Sequence, residues 1–197
     1  DGEVSLGSGN LIPAIPESTS GAITIPSTLG ECPVTSIGFG AFSGCESLTS
    51  VTIPDSVTSI EGHAFFGCKS LTSVTIPCGV TEIEGGAFCE CSSLMSVTIP
   101  DSVTSIGDGA FSGCSSLTSV TIPDGIKEIG ACAFDHCDKL YNRKMIPGVL
   151  VVDGWVVGYE ETLPEDLDLT GVRGIMPVAF LNCKNLTSVT IPSSVKS

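Results

Sequence analysis

Ten cysteines and two histidines are the residues of this 197-residue chain with the widest chemical reach. Thiolates and imidazoles can hold zinc, and a thiolate beside an imidazole can act as nucleophile with its base. Spacing decides among these uses. Cys45, Cys68, Cys91, Cys114, Cys137 and Cys183 share one register, at multiples of 23 residues. If the chain coils with that period, neighbouring members lie near 4.8 Å apart at Cα, inside the range of about 4.4–6.8 Å that a disulfide spans. Their Cβ vectors would run parallel, which suits a ladder of free buried thiols better than bridges. Cys32, Cys78, Cys89 and Cys132 fall off the register, and no pair has C-x-x-C spacing. Cys89-x-Cys91 is too short for a usual zinc knuckle and Cys132-x-x-x-His136 is a weak metal signal, so no metal is expected.

His63 and His136 occupy variable positions and read as solvated loop residues. Most serines are repeat positions, so no Ser/His/Asp or Cys/His set can be assembled and no catalytic residue is expected. Glu160, Glu161, Glu165, Asp166 and Asp168 lack the D-x-D-x-D-G order of a calcium loop and read as a solvated edge. The closely spaced glycines mark turns, because the strand–GxGxxG–helix context of a phosphate cradle is absent. No cofactor is expected.

The elements that carry these residues follow from the same period. LTSVTIPDSVTSI begins at Leu48, and near copies begin at Leu71, Leu94 and Leu117; Leu140 holds the next register point and Leu186 lies two periods further on. A fixed period of this length means a solenoid of stacked coils with no single central core. Within one coil, Val51-Thr52-Ile53 alternates with period two and reads as a short strand. Pro54 ends it. Val57 and Ile60 turn inward again, and Ala64, Phe65 and Cys68 have the spacing of a single helical or 3₁₀ turn that returns the chain. Stacking makes one buried column of Leu48, Leu71, Leu94, Leu117 and Leu140, and another of Phe42, Phe65, Phe88, Phe111, Phe134 and Phe180. Each coil is too small to bury its own apolar face, so its neighbours supply the burial.

The ends and one interior stretch depart from the pattern. Residues 1–20, with Pro13 and Pro16, fit no coil and read as an N-terminal cap; residues 21–197 form the solenoid. The first coil carries five extra residues between Pro26 and Val34. In 141–162, two apolar runs flank Asp153-Gly154, a strong two-residue turn signal, so a hairpin is expected near 147–160. Trp155, the single tryptophan, is expected to pack on the scaffold. The strand after the hairpin is degraded, and exact period counting sets Asp166 and Asp168 opposite Val97 and Ile99. The chain stops at Ser197 midway through a repeat, from which continuation of the natural protein, or an interface over that end, is expected.

Charge narrows the partners. The net charge is −14; residues 1–126 hold thirteen acids and one base, Lys69, and residues 127–197 hold nine acids and seven bases. An acidic body repels phosphate backbones, which argues against nucleic acid. No stretch approaches the roughly 18–20 apolar residues of a membrane helix, so no membrane insertion is expected of this segment.

The pattern LxxVxIPxxVxxIxxxAFxxC resembles the BspA-like (Treponema pallidum-type) leucine-rich repeats of bacteria and some protists, over roughly residues 21–197. Period, proline, Ala-Phe pair and cysteine recur together. Glu160, where the column calls for cysteine, and the hairpin are the departures. The resemblance implies a right-handed leucine-rich repeat solenoid, a β/α superhelix that is β-rich with short helical or 3₁₀ turns, with a β-sheet on its concave side. It also implies secreted or cell-surface bacterial proteins, some of them adhesins for host matrix proteins or other bacteria. The outward strand residues then become the candidate ligand-binding face: Thr49, Ser50 and Thr52; Thr72, Ser73 and Thr75; Met95, Ser96 and Thr98; Thr118, Ser119 and Thr121. This face lacks Tyr, Trp and Arg, the usual hot-spot residues, so binding should be weak per coil and gain by repetition; the loops, which vary more between coils (Asp55, Cys78, Asp101 and Asp124 at one position), are the alternative seat of specificity. The expected function is an extracellular recognition or adhesion module with a protein ligand; the alternative is a structural spacer presenting another domain. Nothing beyond the cysteines points to an enzyme.

Overall fold

The computed structural model describes residues 4–6, 16–142, 144–160 and 162–195. Most of 1–20, including Pro13, therefore lies outside the described residues, as do Glu161 and Ser197.

From the first coil to Ile129, each coil contributes one strand to each of two parallel sheets; the later strands form two small sheets of their own. The first sheet orders Gly21–Thr24, Leu48–Thr52, Ser73–Thr75, Ser96–Thr98 and Ser119–Thr121 side by side. Its pairing is in step with the period: Ser73 faces Ser96, Ser96 faces Ser119, and Val74 faces Val97. The second sheet stacks Val4–Leu6, Cys32–Ile37, Ser59–Ile60, Glu82–Ile83, Ser105–Ile106 and Glu128–Ile129. The five extra residues of the first coil form a small antiparallel pair, Thr28 to Pro33 and Leu29 to Cys32, beside this sheet. Period-two alternation sends Val51, Val74 and Val97 inward and the flanking Ser and Thr outward, so a slip of one residue would bury hydroxyls.

The return segment is a 3₁₀-type turn, and among the described residues there is no helix. Ala64 N–H donates to Glu61 O, Phe66 N–H to His63 O and Cys68 N–H to Phe65 O, all three residues back. Phe65 N–H instead reaches forward to Ala87 O of the next coil at 2.7 Å, so turns too are stitched coil to coil. Each turn needs two residues with left-handed backbone. Glycine serves at 40, 86 and 109 and at 44, 67 and 113, whereas His63, Cys132, Val178, Glu90, His136 and Asn182 adopt the same positive φ elsewhere.

The interior is a set of files. Leu48, Leu71, Leu94 and Leu117 are fully buried. Phe42, Phe65, Phe88, Phe111 and Phe134 stack with ring centroids 5.0, 5.2, 5.4 and 5.5 Å apart and nearly parallel planes. The offset implied by those distances suits aromatic quadrupoles. Phe180 does not join this file. It packs against Tyr159 at 6.4 Å, because the position between Phe134 and Phe180 is Val157, on the hairpin.

The hairpin forms as Val149–Val152 and Trp155–Tyr159, antiparallel, with Asp153 and Gly154 both at positive φ. It does not project from the solenoid. Trp155 and Val156 pair in parallel with Gly174 and Ile175, so its second strand takes the place of a second-sheet strand. Trp155 is buried against the main core, and a Cβ on Gly174 would meet its ring at 2.2 Å. The hairpin divides the interior in two: its own Val149, Val151 and Val156 join Ile146, Leu163, Leu167, Leu169, Val172 and Ala179 in a second cluster.

The strand after the hairpin corrects the period count. Asp166, Leu167 and Asp168 pair with Ser188, Val189 and Thr190, so the aspartates sit at the Ser and Thr positions and Leu167 takes the buried Val position. A one-residue shift keeps Leu167 and Leu169 inside and both carboxylates in water. Exact register would have buried two charges, and that cost exceeds the cost of an irregular loop.

Candidate functional site

The cysteine register is a hydrogen-bonded thiol ladder. Cys68, Cys91, Cys114 and Cys137 donate from Sγ to the carbonyls of Phe42, Phe65, Phe88 and Phe111 of the preceding coil, at 3.1–3.2 Å. All ten cysteines are free. Burial pushes the Cys45 thiol up to about 11 and that of Cys137 to about 12 and raises Cys114 as well; Cys91 is raised first by its hydrogen bond with Cys68 and then by burial. These thiols are held as neutral donors, the wrong state for a nucleophile or metal ligand. Cys183 is half-buried and stands apart from the ladder, because the hairpin removes the coil that would have linked it. Cys78 and Cys132 are exposed.

His136 is exposed, as a solvated loop residue should be. His63 is not. Its ring lies between Phe39 and Phe66, with centroids 5.4 and 5.6 Å away, and its Nδ1 is buried without a hydrogen-bond partner.

The outward residues of the first sheet form three columns. In the column of Thr49, Thr72, Met95 and Thr118, hydroxyls hold coils together: Thr72 Oγ1 donates to Thr49 O at 3.1 Å and Thr118 Oγ1 to Met95 O at 3.2 Å. The other two columns differ. Ser50, Ser73, Ser96 and Ser119, with Thr52, Thr75, Thr98 and Thr121, carry eight hydroxyls that bond to nothing within the described chain. All but half-buried Ser50 are exposed. The structure thus brings the twelve expected site residues onto one face but commits the outer column partly to its own backbone. That distinction was not visible in composition, since threonine serves both purposes.

Beyond the hairpin the same face changes sign. Asp166 and Asp168 replace the hydroxyls, and Ser188 Oγ donates to Asp166 Oδ1. Between the two parts lies a junction that no motif announced. Arg173 donates to Asp153 Oδ2 at 2.9 Å, to Ile122 O at 3.0 Å and to Asp124 Oδ1 at 2.8 Å. Beside it a recess of about 320 Å³ is lined by Pro123, Asp124, Trp155, Val172 and Ser194. Its charged groups, Asp124 and Arg173, are paired with each other.

Comparison with known proteins agrees with this geometry. The family model of the BspA-type leucine-rich repeat region matches residues 19–145 and 163–197, in six copies. Among solved structures, the chain is similar to the leucine-rich repeat protein of T. pallidum, with 33% identity and a TM-score of 0.63 over 87% of this chain and 70% of that one. It is also similar to a leucine-rich repeat protein from Bacteroides ovatus, with 29% identity and a TM-score of 0.62 over 88% of this chain and 46% of that one. The pneumococcal vaccine antigen PcpA shares the fold at 20% identity and a TM-score of 0.51, covering 89% of this chain and 61% of that chain. A search of curated protein sequences finds no match. With repeat register, paired sheets and matched residues in accord, the chain belongs to the BspA-type leucine-rich repeat family.

Proposed function

We propose that this chain is a non-enzymatic recognition module of a secreted or cell-surface bacterial protein, and that it binds protein ligands through the first-sheet face. The observation that carries this reading is the pair of solvent-facing columns, Ser50 to Ser119 and Thr52 to Thr121, whose eight hydroxyls have no bond within the described chain. Such a face offers donors and acceptors at a regular spacing. Each contact is weak, and a ligand that engages several coils at once gains by effective concentration. Membership of a repeat family of bacterial proteins supports the setting.

The test is binding of the purified chain to a panel of host matrix proteins and bacterial surfaces. Saturable binding lost in a Ser73→Lys/Ser96→Lys variant supports the reading; failure across the panel counts against it. A spacer role is the second reading. It is favoured by the Thr72 and Thr118 hydroxyls, which support the coil stack and are not offered to a ligand. A spacer predicts that the face variant leaves every interaction of the larger protein unchanged.

A further inference from the structure

Three departures from the repeat meet at one place on the second-sheet side. Position 63 is glycine in the coils holding Gly40, Gly86 and Gly109, yet here it is His63 at φ 56°. Position 66 is serine at Ser43 and Ser112, yet here it is Phe66. Position 39 is glycine at Gly62 and Gly85, yet here it is Phe39. The His63 ring pairs with both phenyl rings, and Phe39 and Phe66 each remain 36% exposed. The glycines of the following coil admit them. A Cβ on Gly62 would lie 3.3 Å from the Phe39 ring, and one on Gly86 would lie 3.0 Å from His63 Nε2. A non-glycine residue held in left-handed backbone, with a buried unbonded nitrogen, costs stability that the repeat avoids in neighbouring coils.

Charge specifies what such a patch would take. Glu61 Oε2 accepts from Phe39 N–H and Glu84 Oε2 from Gly62 N–H, both at 2.9 Å. Two carboxylates are therefore fixed against the backbone beside the rings. The surrounding segment, residues 1–126, has thirteen acids and one base. Aromatic faces next to fixed carboxylates in an acidic field favour a cation that can lie over a ring and keep its charge compensated.

We infer that Phe39, His63 and Phe66, with Glu61 and Glu84, form a docking spot for a lysine or arginine side chain of a protein partner. This rests on the protein-binding reading above but places one anchor away from the Ser–Thr face, so the two can fail separately.

The test uses substitutions that the repeat itself supplies. The triple variant Phe39→Gly/His63→Gly/Phe66→Ser restores residues found at the same register in other coils, and it keeps every carboxylate. Titration with a fluorescein-labelled, capped peptide carrying two arginines, read by anisotropy at pH 7.5, should saturate with the native chain. It should be about five-fold weaker with the triple variant, while Asn185→Ala, at an exposed position assigned no binding role, changes nothing. Thermal melting confirms that each variant is folded. Equal affinity for native chain and triple variant, or no saturable binding by the native chain, overturns the inference. A marked loss of thermal stability with unchanged peptide affinity overturns it too, and assigns the rings to packing alone.

Discussion

Arg173 holds Asp153 at 2.9 Å, and Asp153 in turn accepts the Ile122 N–H at 2.7 Å, just after the last strand of the first sheet. One ion pair thus ties the hairpin turn, the end of the N-terminal stack and the segment beyond the hairpin. Its side chains are about one-third exposed, so its worth lies in backbone groups satisfied more than in charge alone. Arg173→Ala leaves the Ile122 carbonyl and the Asp153 carboxylate with fewer partners and should cost about 2 kcal/mol. Arg173→Lys should recover little, since an ammonium cannot span Asp124 and Asp153 as the guanidinium fork does. Denaturant unfolding of the three proteins decides this.

Val178 is a β-branched residue at φ 59°, half-exposed, at a register position where other coils use glycine. Val178→Gly should raise stability by up to about 1 kcal/mol, because relief of the strained backbone outweighs a small loss of burial. The opposite holds at Gly174, where a Cβ would sit 2.2 Å from the Trp155 ring. Gly174→Ala should displace Trp155 and shift its fluorescence toward that of a solvated indole. Thermal melts and emission spectra check both.

The thiol ladder predicts a sensitivity to alkali. Folded Cys45 and Cys137 are raised by burial to about 11 and about 12 from an ordinary 9.0, and Cys91 and Cys114 are raised as well. Below pH 9 these thiols are protonated in both states and the full stability is present. Above it the unfolded chain ionises while the folded chain does not, so the unfolded state binds fewer protons and stability falls until the folded values are passed. Thermal midpoints should therefore drop as the pH rises from about 9 towards 11, and drop less in a Cys91→Ala/Cys114→Ala variant. At pH 8 a thiol reagent should label Cys78 and Cys132 quickly and the ladder only on unfolding.

Phe88 sits mid-file between Phe65 and Phe111 with no exposure. Phe88→Ala should cost about 3–5 kcal/mol. In a stack where each coil is covered by its neighbours, the loss should lower the cooperativity of unfolding as well as its midpoint. Chemical denaturation reports both.

What the sequence made legible is what repetition over-determines. Leu71 or Phe88 has several copies of itself to vote on its direction, and period two inside each strand leaves one inward choice. The misses lie where a single copy decides. Asp166 and Asp168 lie one residue off the exact period because the cost of burying two carboxylates outweighs regular spacing. Phe180 and Cys183 have the spacing of files that the hairpin interrupts. His63 looked like a loop residue because Phe39 and Phe66, which enclose it, lie in different coils and at different register positions. Arg173 gave no signal, since its partners are 20 to 51 residues away and belong to no motif. Closer notice of the positions where glycine or serine is replaced by an aromatic would have found the Phe39–His63–Phe66 patch.

The proposed role of the unbonded hydroxyl columns is to bind protein. The direct measurement is surface binding of the native chain to the matrix and bacterial-surface panel, beside Ser73→Lys/Ser96→Lys and an exposed-loop control such as Asp101→Asn. Saturable binding to at least one member is expected, reduced ten-fold or more by the face variant and unchanged by the loop control. Binding that survives both lysines undiminished, or no binding by a folded native chain, would contradict it.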